Sequence, residues 1–211
     1  IDWLWRGYLA RGSITEITAK AKAGKTRLLL EYVATQLAGH DFLGQHTERT
    51  IVVYLTEERP ATFRNGLERA GLTECQDLHV LLRHQARERD WADVCAEAVD
   101  YARHVGAGLL ITDTLPDWAA LLGDTENDSG AALEALRPLH AAAATGLAVL
   151  VCRHERKGGG EIGESARGSS AFGGAVDVLM TLRRSNTPGH ETRRELECDG
   201  HCRSPGVSIQ T

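Results

Sequence analysis

A glycine, a lysine and a threonine stand together as Gly24-Lys25-Thr26, directly before an apolar segment with helical spacing. The first N–H groups of a helix carry partial positive charge and can hold phosphate oxygens. The lysine adds a full charge, and the threonine hydroxyl is an oxygen ligand of the kind that Mg²⁺ prefers. The usual phosphate-loop pattern starts with another glycine, where this chain has Ala19. We predict a phosphate-binding loop with the contact residues Ala21, Lys22, Ala23, Gly24, Lys25, Thr26 and Arg27.

Polar residues also follow three other apolar segments of the chain. Glu57 and Glu58 come after the first of these segments, Asp113 after a later one and His154 after the last. An acid at a strand end can hold a Mg²⁺-bound water, so we predict Asp113 and Thr26 as the metal-side residues. A glutamate nearby can act as general base toward water, with Glu57 as first choice and Glu58 as second. His154 can donate a hydrogen bond to the outermost phosphate.

Apolar runs and helical patterns alternate along the chain, and no repeat or linker divides its 211 residues. We predict strands at 13–18, 50–55, 78–82, 108–112, 147–152, 178–183 and 193–198, and helices at 26–37, 61–70, 91–105 and 129–144. Strands joined through helices form a parallel sheet that is covered on both faces, with ligands at the carboxyl ends of the strands. We therefore predict a single three-layer α/β domain spanning 1–211, with a mainly parallel sheet and antiparallel C-terminal strands.

Composition narrows the classes of protein further. A net charge of -5 disfavours a protein that coats nucleic acid with its whole surface. No apolar run approaches the roughly 18 residues of a membrane span, so we expect no membrane association. The five cysteines are an odd number scattered within apolar patterns, which is typical of a reducing compartment. We expect a cytoplasmic protein.

The order of these features resembles that of the RecA-like P-loop ATPases and, within them, of the RepA-type hexameric helicase branch, which includes AAA family ATPases of mobile elements. The resemblance covers nearly the whole chain and is carried by the phosphate loop, Tyr54-Leu55-Thr56-Glu57-Glu58, a helix with Arg64, Asp113-Thr114, His154-x-x-Lys157 and Arg167-Gly168-Ser169-Ser170-Ala171. It implies a three-layer RecA-like fold and a site for ATP and Mg²⁺.

The resemblance also implies a role for each catalytic residue. It makes Lys25 and Thr26 the phosphate and Mg²⁺ contacts, Glu57 the catalytic base, Asp113 the Mg²⁺-side acid and His154 the sensor of the γ-phosphate. In such families a ring of subunits, often a hexamer, shares each ATP between neighbours, and a basic residue of the next subunit completes the site. The candidates for that residue here are Arg167, Arg183 and Arg184.

Binding of single-stranded DNA is the expected use of such a ring, but the sequence supports it weakly. The glycine-rich segment 155–170, with its flanking basic residues, has a net charge of only +1 and no aromatic side chain for base stacking. The segment after Asp113 is acidic, with Asp117, Asp124, Glu126 and Asp128. Two alternatives to a DNA helicase therefore stay open, a KaiC-like regulatory ATPase and a recombination or repair ATPase without unwinding activity.

Overall fold

The computed structural model describes residues 1–121, 125, 128–155, 171–185, 193–200 and 207–210. The strands are β1 (Trp3–Trp5), β2 (Leu9–Ala10), β3 (Ile14–Ala19), β4 (Ile51–Thr56), β5 (Leu78–Leu82), β6 (Ala107–Asp113), β7 (Ala148–His154), β8 (Val178–Arg184), β9 (Arg193–Gly200) and β10 (Val207–Gln210). The α-helices are α1 (Lys25–Leu37), α2 (Pro60–Ala70), α3 (Trp91–Val105), α4 (Leu115–Trp118), α5 (Ser129–Ala144) and α6 (Ala171–Gly174), and a 3₁₀ turn spans Arg83–Gln85.

In the part of the chain that the structure describes, eight strands form one sheet in the order β10-β9-β8-β3-β7-β6-β4-β5. The six strands from β8 to β5 in that order pair in parallel, whereas β9 and β10 are antiparallel to their neighbours. Helices cover both faces, as expected for strands that are joined through helices. The predicted three-layer α/β fold is confirmed.

Strand β4 shows how the chain builds a core on each face of the sheet. Its alternate residues Val52 and Tyr54 belong to the apolar cluster under α1 and α2, and Val53 and Leu55 belong to the cluster under α3 and α5. A strand that is buried on both faces reads as one continuous apolar run, which is why the pattern at 50–55 predicted it.

Helices α3 and α5, on the face of the sheet opposite α1 and α2, begin at aspartates whose side chains accept hydrogen bonds from backbone N–H groups. Asp90 accepts the N–H of Ala92 at the start of α3, and Asp128 accepts the N–H of Ala131 at the start of α5. α3 ends at Gly106, whose φ of 72° is a left-handed conformation that glycine adopts readily. These local signals explain why the predicted starts of both helices and the predicted end of α3 agree with the structure.

Strand β7 extends two residues further than predicted. It ends at His154, which therefore lies within the strand and not after it, because Ala19 of β3 pairs with it in register. The Glu155 N–H then donates to the Ala19 carbonyl at 2.9 Å, which continues the ladder past the strand end. The long-range pairing with β3 thus overrides the local sequence signal at this position.

A short hairpin of β1 and β2 packs the N-terminal segment onto the apolar cluster under α1 and α2. Trp5 is 1% exposed, and its ring stacks on Tyr8 and Tyr32 with centroids 4.1 and 5.1 Å apart. Its indole N–H donates to the Phe42 carbonyl at 3.3 Å. The hairpin is therefore part of the core. Among the described residues, no helix has the length and apolar character needed to cross a membrane.

This packing generates a stability prediction. Trp5→Ala should lower the free energy of unfolding by about 3–5 kcal/mol, because it empties a closed aromatic site. Trp3→Ala is the matched control and should have a clearly smaller effect, since Trp3 is only partly buried. Urea denaturation of both variants measures the difference. Similar small losses for both variants would show that the hairpin is not part of the core.

Candidate active site

The carboxyl ends of the neighbouring strands β3, β7, β6 and β4 meet at one edge of the sheet, beside the start of α1. A cleft of about 1120 Å³ lies there. Its wall brings together nearly all the residues that the sequence predicted for the site: Lys22, Ala23, Gly24, Lys25, Thr26, Arg27, Glu57, Glu58, Asp113 and His154. Ala21 is the exception, because it lies in the loop but not among the residues that line the cleft.

The phosphate loop holds two residues in left-handed backbone conformations. Gly24, the N-cap of α1, has a φ of 103°, and Lys22 has a φ of 61°. A non-glycine residue costs roughly 1–2 kcal/mol in that region, so neighbouring contacts must hold Lys22 in place. Gly24 has no side chain to cap α1, which leaves the first amides of the helix open to an anion. Ala19, the departure from the usual pattern, is the last residue of β3 and is completely buried in the core.

The Thr26 hydroxyl donates a hydrogen bond to Oδ2 of Asp113 at 2.9 Å. The Tyr54 hydroxyl donates to the same oxygen at 3.0 Å, and Asp113 is only 2% exposed. Burial and the adjacent Asp113 charge raise the pKa of Tyr54, which keeps the phenol a donor. Sequence reasoning missed Tyr54, although a tyrosine on the strand next to the acid-bearing strand was the available signal.

These groups have the chemistry that Mg²⁺ requires. The hydroxyl of Thr26 and the carboxylate of Asp113 are hard oxygen donors in direct contact. Among the residues that the structure describes, no lysine or arginine forms an ion pair with Asp113. Its donors, the two hydroxyls and the Cys152 thiol, are neutral groups. A buried carboxylate with neutral donors is short of positive charge, and a divalent cation would supply it. Thr26 and Asp113 therefore fit a magnesium ion.

Glu57 lies beside this pair at the end of β4. Its N–H donates to the Asp113 carbonyl at 2.9 Å, and within the described residues its buried Oε2 has no hydrogen-bond partner. Burial, together with the Asp113 charge, raises the pKa of Glu57 from 4.5 to about 7. Burial also raises the pKa of Glu58, but there the Thr26 hydroxyl acts in the opposite direction. Of the two acids, Glu57 is the better placed to exchange a proton near neutral pH.

Lys25 and His154 face each other across the site. The Lys25 ammonium is 3.4 Å from Nδ1 of His154, and Lys25 is largely buried. Polar atoms of His154, Glu57 and Asp117 lie within 4.8 Å of one another. The sequence assigned Asp117 only to the acidic segment after Asp113, but the short helix α4 carries it to the rim of the site. Its position depends on a tertiary turn that no local pattern indicated.

Helix α2 forms another part of the cleft wall, through Asn65 and Arg69. The sequence predicted this helix but gave neither residue a role. Arg64, which belongs to the motif order quoted above, is exposed and is not among the residues that line the cleft. Arg69 therefore adds a positive charge to the wall at a position that sequence reasoning missed.

Two of the three candidates for a residue acting on a neighbouring subunit are occupied within their own chain. Arg183 forms ion pairs with Glu155 at 3.4 Å and with Glu197 at 3.2 Å. Arg184 donates to the Lys22 carbonyl at 3.2 Å. Arg167 and the glycine-rich segment 156–170 lie outside the described residues, as do Asp124 and Glu126.

Comparison with known proteins agrees with this geometry. A family model for an AAA domain, AAA_25, matches residues 1–160. The fold is similar to the crystal structure of a KaiC-like protein from the hyperthermophilic archaeon Pyrococcus horikoshii. That match has a TM-score of 0.62 and 14% sequence identity, and it covers 97% of this chain and 87% of that chain. None of the curated proteins matches the chain.

The sheet order, the phosphate loop and the acids around it define a P-loop ATPase with a RecA-like fold. Because the family model covers well over half of its residues, the chain belongs to the AAA domain family AAA_25.

The raised pKa of Glu57 generates a prediction for the nucleotide-free and metal-free protein. Between about pH 4.5 and 7 the folded chain retains a proton that the unfolded chain has released, so stability falls as the pH rises through this window. Glu57→Gln removes this loss and should stabilise the chain at pH 8 by about 1–3 kcal/mol, with a gain that shrinks toward pH 5. Urea denaturation at the two pH values measures the gain.

Glu58→Gln is the control for this experiment. Its gain should be smaller, because the Thr26 hydroxyl partly offsets the effect of burial on Glu58. A Glu57→Gln variant that is no more stable than the wild type at pH 8 would contradict the assignment of a desolvated carboxyl to this position.

Proposed function

We propose that the chain hydrolyses ATP in a Mg²⁺-dependent reaction with Glu57 as the general base. The observation that carries this proposal is the position of Glu57. Its carboxyl, whose pKa in the metal-free chain is about 7, lies beside the contact between Thr26 and Asp113 and at the edge of the cleft that the phosphate loop lines. A base is most effective when its pKa is near the working pH.

The phosphate loop supplies the binding groups of the proposed reaction. The open amides at the start of α1 and the Lys25 ammonium would hold the outer phosphates. Within the described residues Lys25 has no carboxylate partner, and its contact with His154 is one that a phosphate oxygen can replace. Released from Lys25, His154 would be able to contact the γ-phosphate. Lys22, Ala23 and Arg27 belong to the same wall.

Magnesium, when bound, neutralises the charge on the phosphates, and Thr26 and Asp113 are the residues that would hold it. Glu57 takes a proton from water as the water oxygen bonds to the γ-phosphorus. The bond from that phosphorus to the bridging oxygen breaks, and ADP and phosphate are released. The Tyr54 hydroxyl keeps the Asp113 carboxylate oriented through its own hydrogen bond.

We further propose that residues 1–211 act as one domain within a homo-oligomeric ring, most simply a hexamer, that works as a DNA motor of the RepA type. The order of motifs along the whole chain supports this use. Single-stranded DNA is the proposed partner.

A KaiC-like regulatory ATPase is the second candidate, and two observations favour it. One is the likeness to the KaiC-like protein over 97% of the chain. The other is that Asp117 is exposed at the rim after Asp113, where it would repel a DNA backbone. A RecA-like recombination or repair ATPase without unwinding activity is the remaining alternative.

Exchange of the base tests the reaction itself. Glu57→Gln should still bind Mg-ATP but lose at least about 100-fold in phosphate release, because the variant cannot accept a proton. Turnover is measured by phosphate release, and affinity by titration with a fluorescent ATP analogue. Lys25→Ala is the control for binding and should remove both signals. If Glu58→Gln stops hydrolysis and Glu57→Gln does not, Glu58 is the base.

Addition of DNA separates the two proposed uses. A helicase-type motor should hydrolyse ATP several-fold faster with single-stranded DNA and unwind a forked duplex, because its cycle is coupled to movement along the strand. A regulatory ATPase should respond to neither. Native mass measurement with a slowly hydrolysed ATP analogue reports ring assembly in the same samples. A monomer under those conditions would contradict both uses.

A further inference from the structure

Two arginines of the C-terminal strands contact the outer side of the phosphate loop. Nε of Arg194, on β9, donates to the Ala23 carbonyl at 2.9 Å. Nη2 of Arg184, on β8, donates to the Lys22 carbonyl at 3.2 Å. These two carbonyls immediately precede Gly24, the N-cap of α1. The loop is therefore held from a part of the chain that follows it by about 170 residues.

The loop borders the large cleft and also a small cavity of about 70 Å³, which Arg194 lines together with Leu28 and Leu182. Ala23 and Gly24 line both. In a trans peptide the carbonyl and the N–H point in opposite directions. A guanidinium that holds the Ala23 carbonyl therefore turns the Gly24 N–H away from Arg194, which lines the small cavity and is not among the residues that line the cleft.

The two arginines do not have the same effect on the loop. The Lys22 carbonyl, which Arg184 holds, shares its peptide unit with the Ala23 N–H. That N–H already donates to the Lys20 carbonyl at 3.0 Å. Arg184 therefore stabilises a turn around Lys22 that is already closed by its own backbone hydrogen bond. Arg194 instead contacts the peptide unit that carries the Gly24 amide.

The contacts of the two arginines with the loop form although the arginines repel each other. Arg184 and Arg194 are directly opposite each other on neighbouring antiparallel strands, where like charges are unfavourable. Arg27 adds a third positive charge nearby. Burial and these two neighbouring charges lower the pKa of Arg194. Glu31 offsets part of the charge through its ion pair with Arg27 at 2.9 Å. The negative charge of a polyphosphate on the cleft side would favour the cluster further.

We propose that Arg194 is a positioning residue for the nucleotide, which presents the Gly24 amide to the phosphates by holding the Ala23 carbonyl. The proposal rests on the proposed function in one respect, namely that the anion in the cleft is a nucleoside polyphosphate. Arg194 is not among the residues that line the cleft. It acts only through the peptide between Ala23 and Gly24.

The test compares two substitutions of Arg194. Arg194→Met keeps an unbranched stem without the donor, and Arg194→Lys keeps a charged donor. Arg137→Met is the control, because Arg137 is an exposed arginine on α5 that does not line the cleft. Calorimetric titration with Mg-ADP and Mg-ATP gives dissociation constants. We expect affinity to fall about tenfold in Arg194→Met, to be partly restored in Arg194→Lys and to be unchanged in the control.

A second readout needs no nucleotide. The Gly24 amide resonance of the nucleotide-free protein should shift and broaden in Arg194→Met and be restored in part in Arg194→Lys, since it reports the orientation of the peptide itself. If Arg194→Met does not fold, the Gly24 resonance of Arg194→Lys tests the proposal instead. A lysine holds the Ala23 carbonyl less rigidly than an arginine does, so the resonance should still shift from its wild-type position.

The outcomes separate this proposal from the proposed function. Wild-type affinity and an unchanged Gly24 resonance in Arg194→Met would overturn the positioning role. Equal losses of affinity in the Met and Lys variants, together with a lower melting temperature in both, would show a general packing role and overturn it as well. A wild-type chain that binds no nucleotide would overturn the proposed function, and the Gly24 resonance would still decide the role of Arg194.

Discussion

The hydrogen bond between Thr26 and Asp113 is the contact on which the rest of the site depends. Thr26 is in the first turn of α1, and Asp113 ends β6, which is separated from β3 by β7. The bond therefore forms only if β7 lies between the two and α1 starts beside its end. Because Asp113 is buried, it must also receive donors, and Tyr54 supplies the second one from the other side of β6. Misplacement of any of these elements would leave a buried carboxylate unpaired, which is strongly unfavourable.

The site concentrates negative charge at the rim of the sheet. Burial and then the charges of Asp113 and Asp117 raise the pKa of Glu57, and burial and the Asp113 charge raise that of Glu58. On the side of the phosphate loop the charge is positive, and among the described residues the Lys25 ammonium has an imidazole and no carboxylate as its hydrogen-bond partner. Acids that lack a cation and a lysine that lacks an anion are complementary to a metal-bound polyphosphate. Charged groups whose opposite charge is missing until a ligand binds are typical of functional sites.

Local sequence signals predicted the elements of the fold but not their order in the sheet. The strand β4 and the capped helix α3 were predictable because their apolar period and their end residues are local properties. The neighbours of β3 were not, because the pairing of β3 with β7 and β8 joins segments more than 130 residues apart. The same limit applies to the site. Lys25, Thr26 and Asp113 follow from motifs, whereas Tyr54 and Arg194 act through contacts that only the tertiary fold creates.

Two different parts of the chain form the phosphate loop and hold it in place. The loop belongs to the region shared with the AAA domain family, whereas the arginines that contact its outer side do not. The family model ends at residue 160, and it therefore includes the loop, both glutamates, Asp113 and His154. Arg184 and Arg194 lie beyond it, on strands that extend the sheet past β3. The chemistry of the proposed reaction thus belongs to the shared region. The orientation of the Ala23–Gly24 peptide depends on the C-terminal strands, so a change there can alter nucleotide affinity while every residue of the shared motifs stays the same.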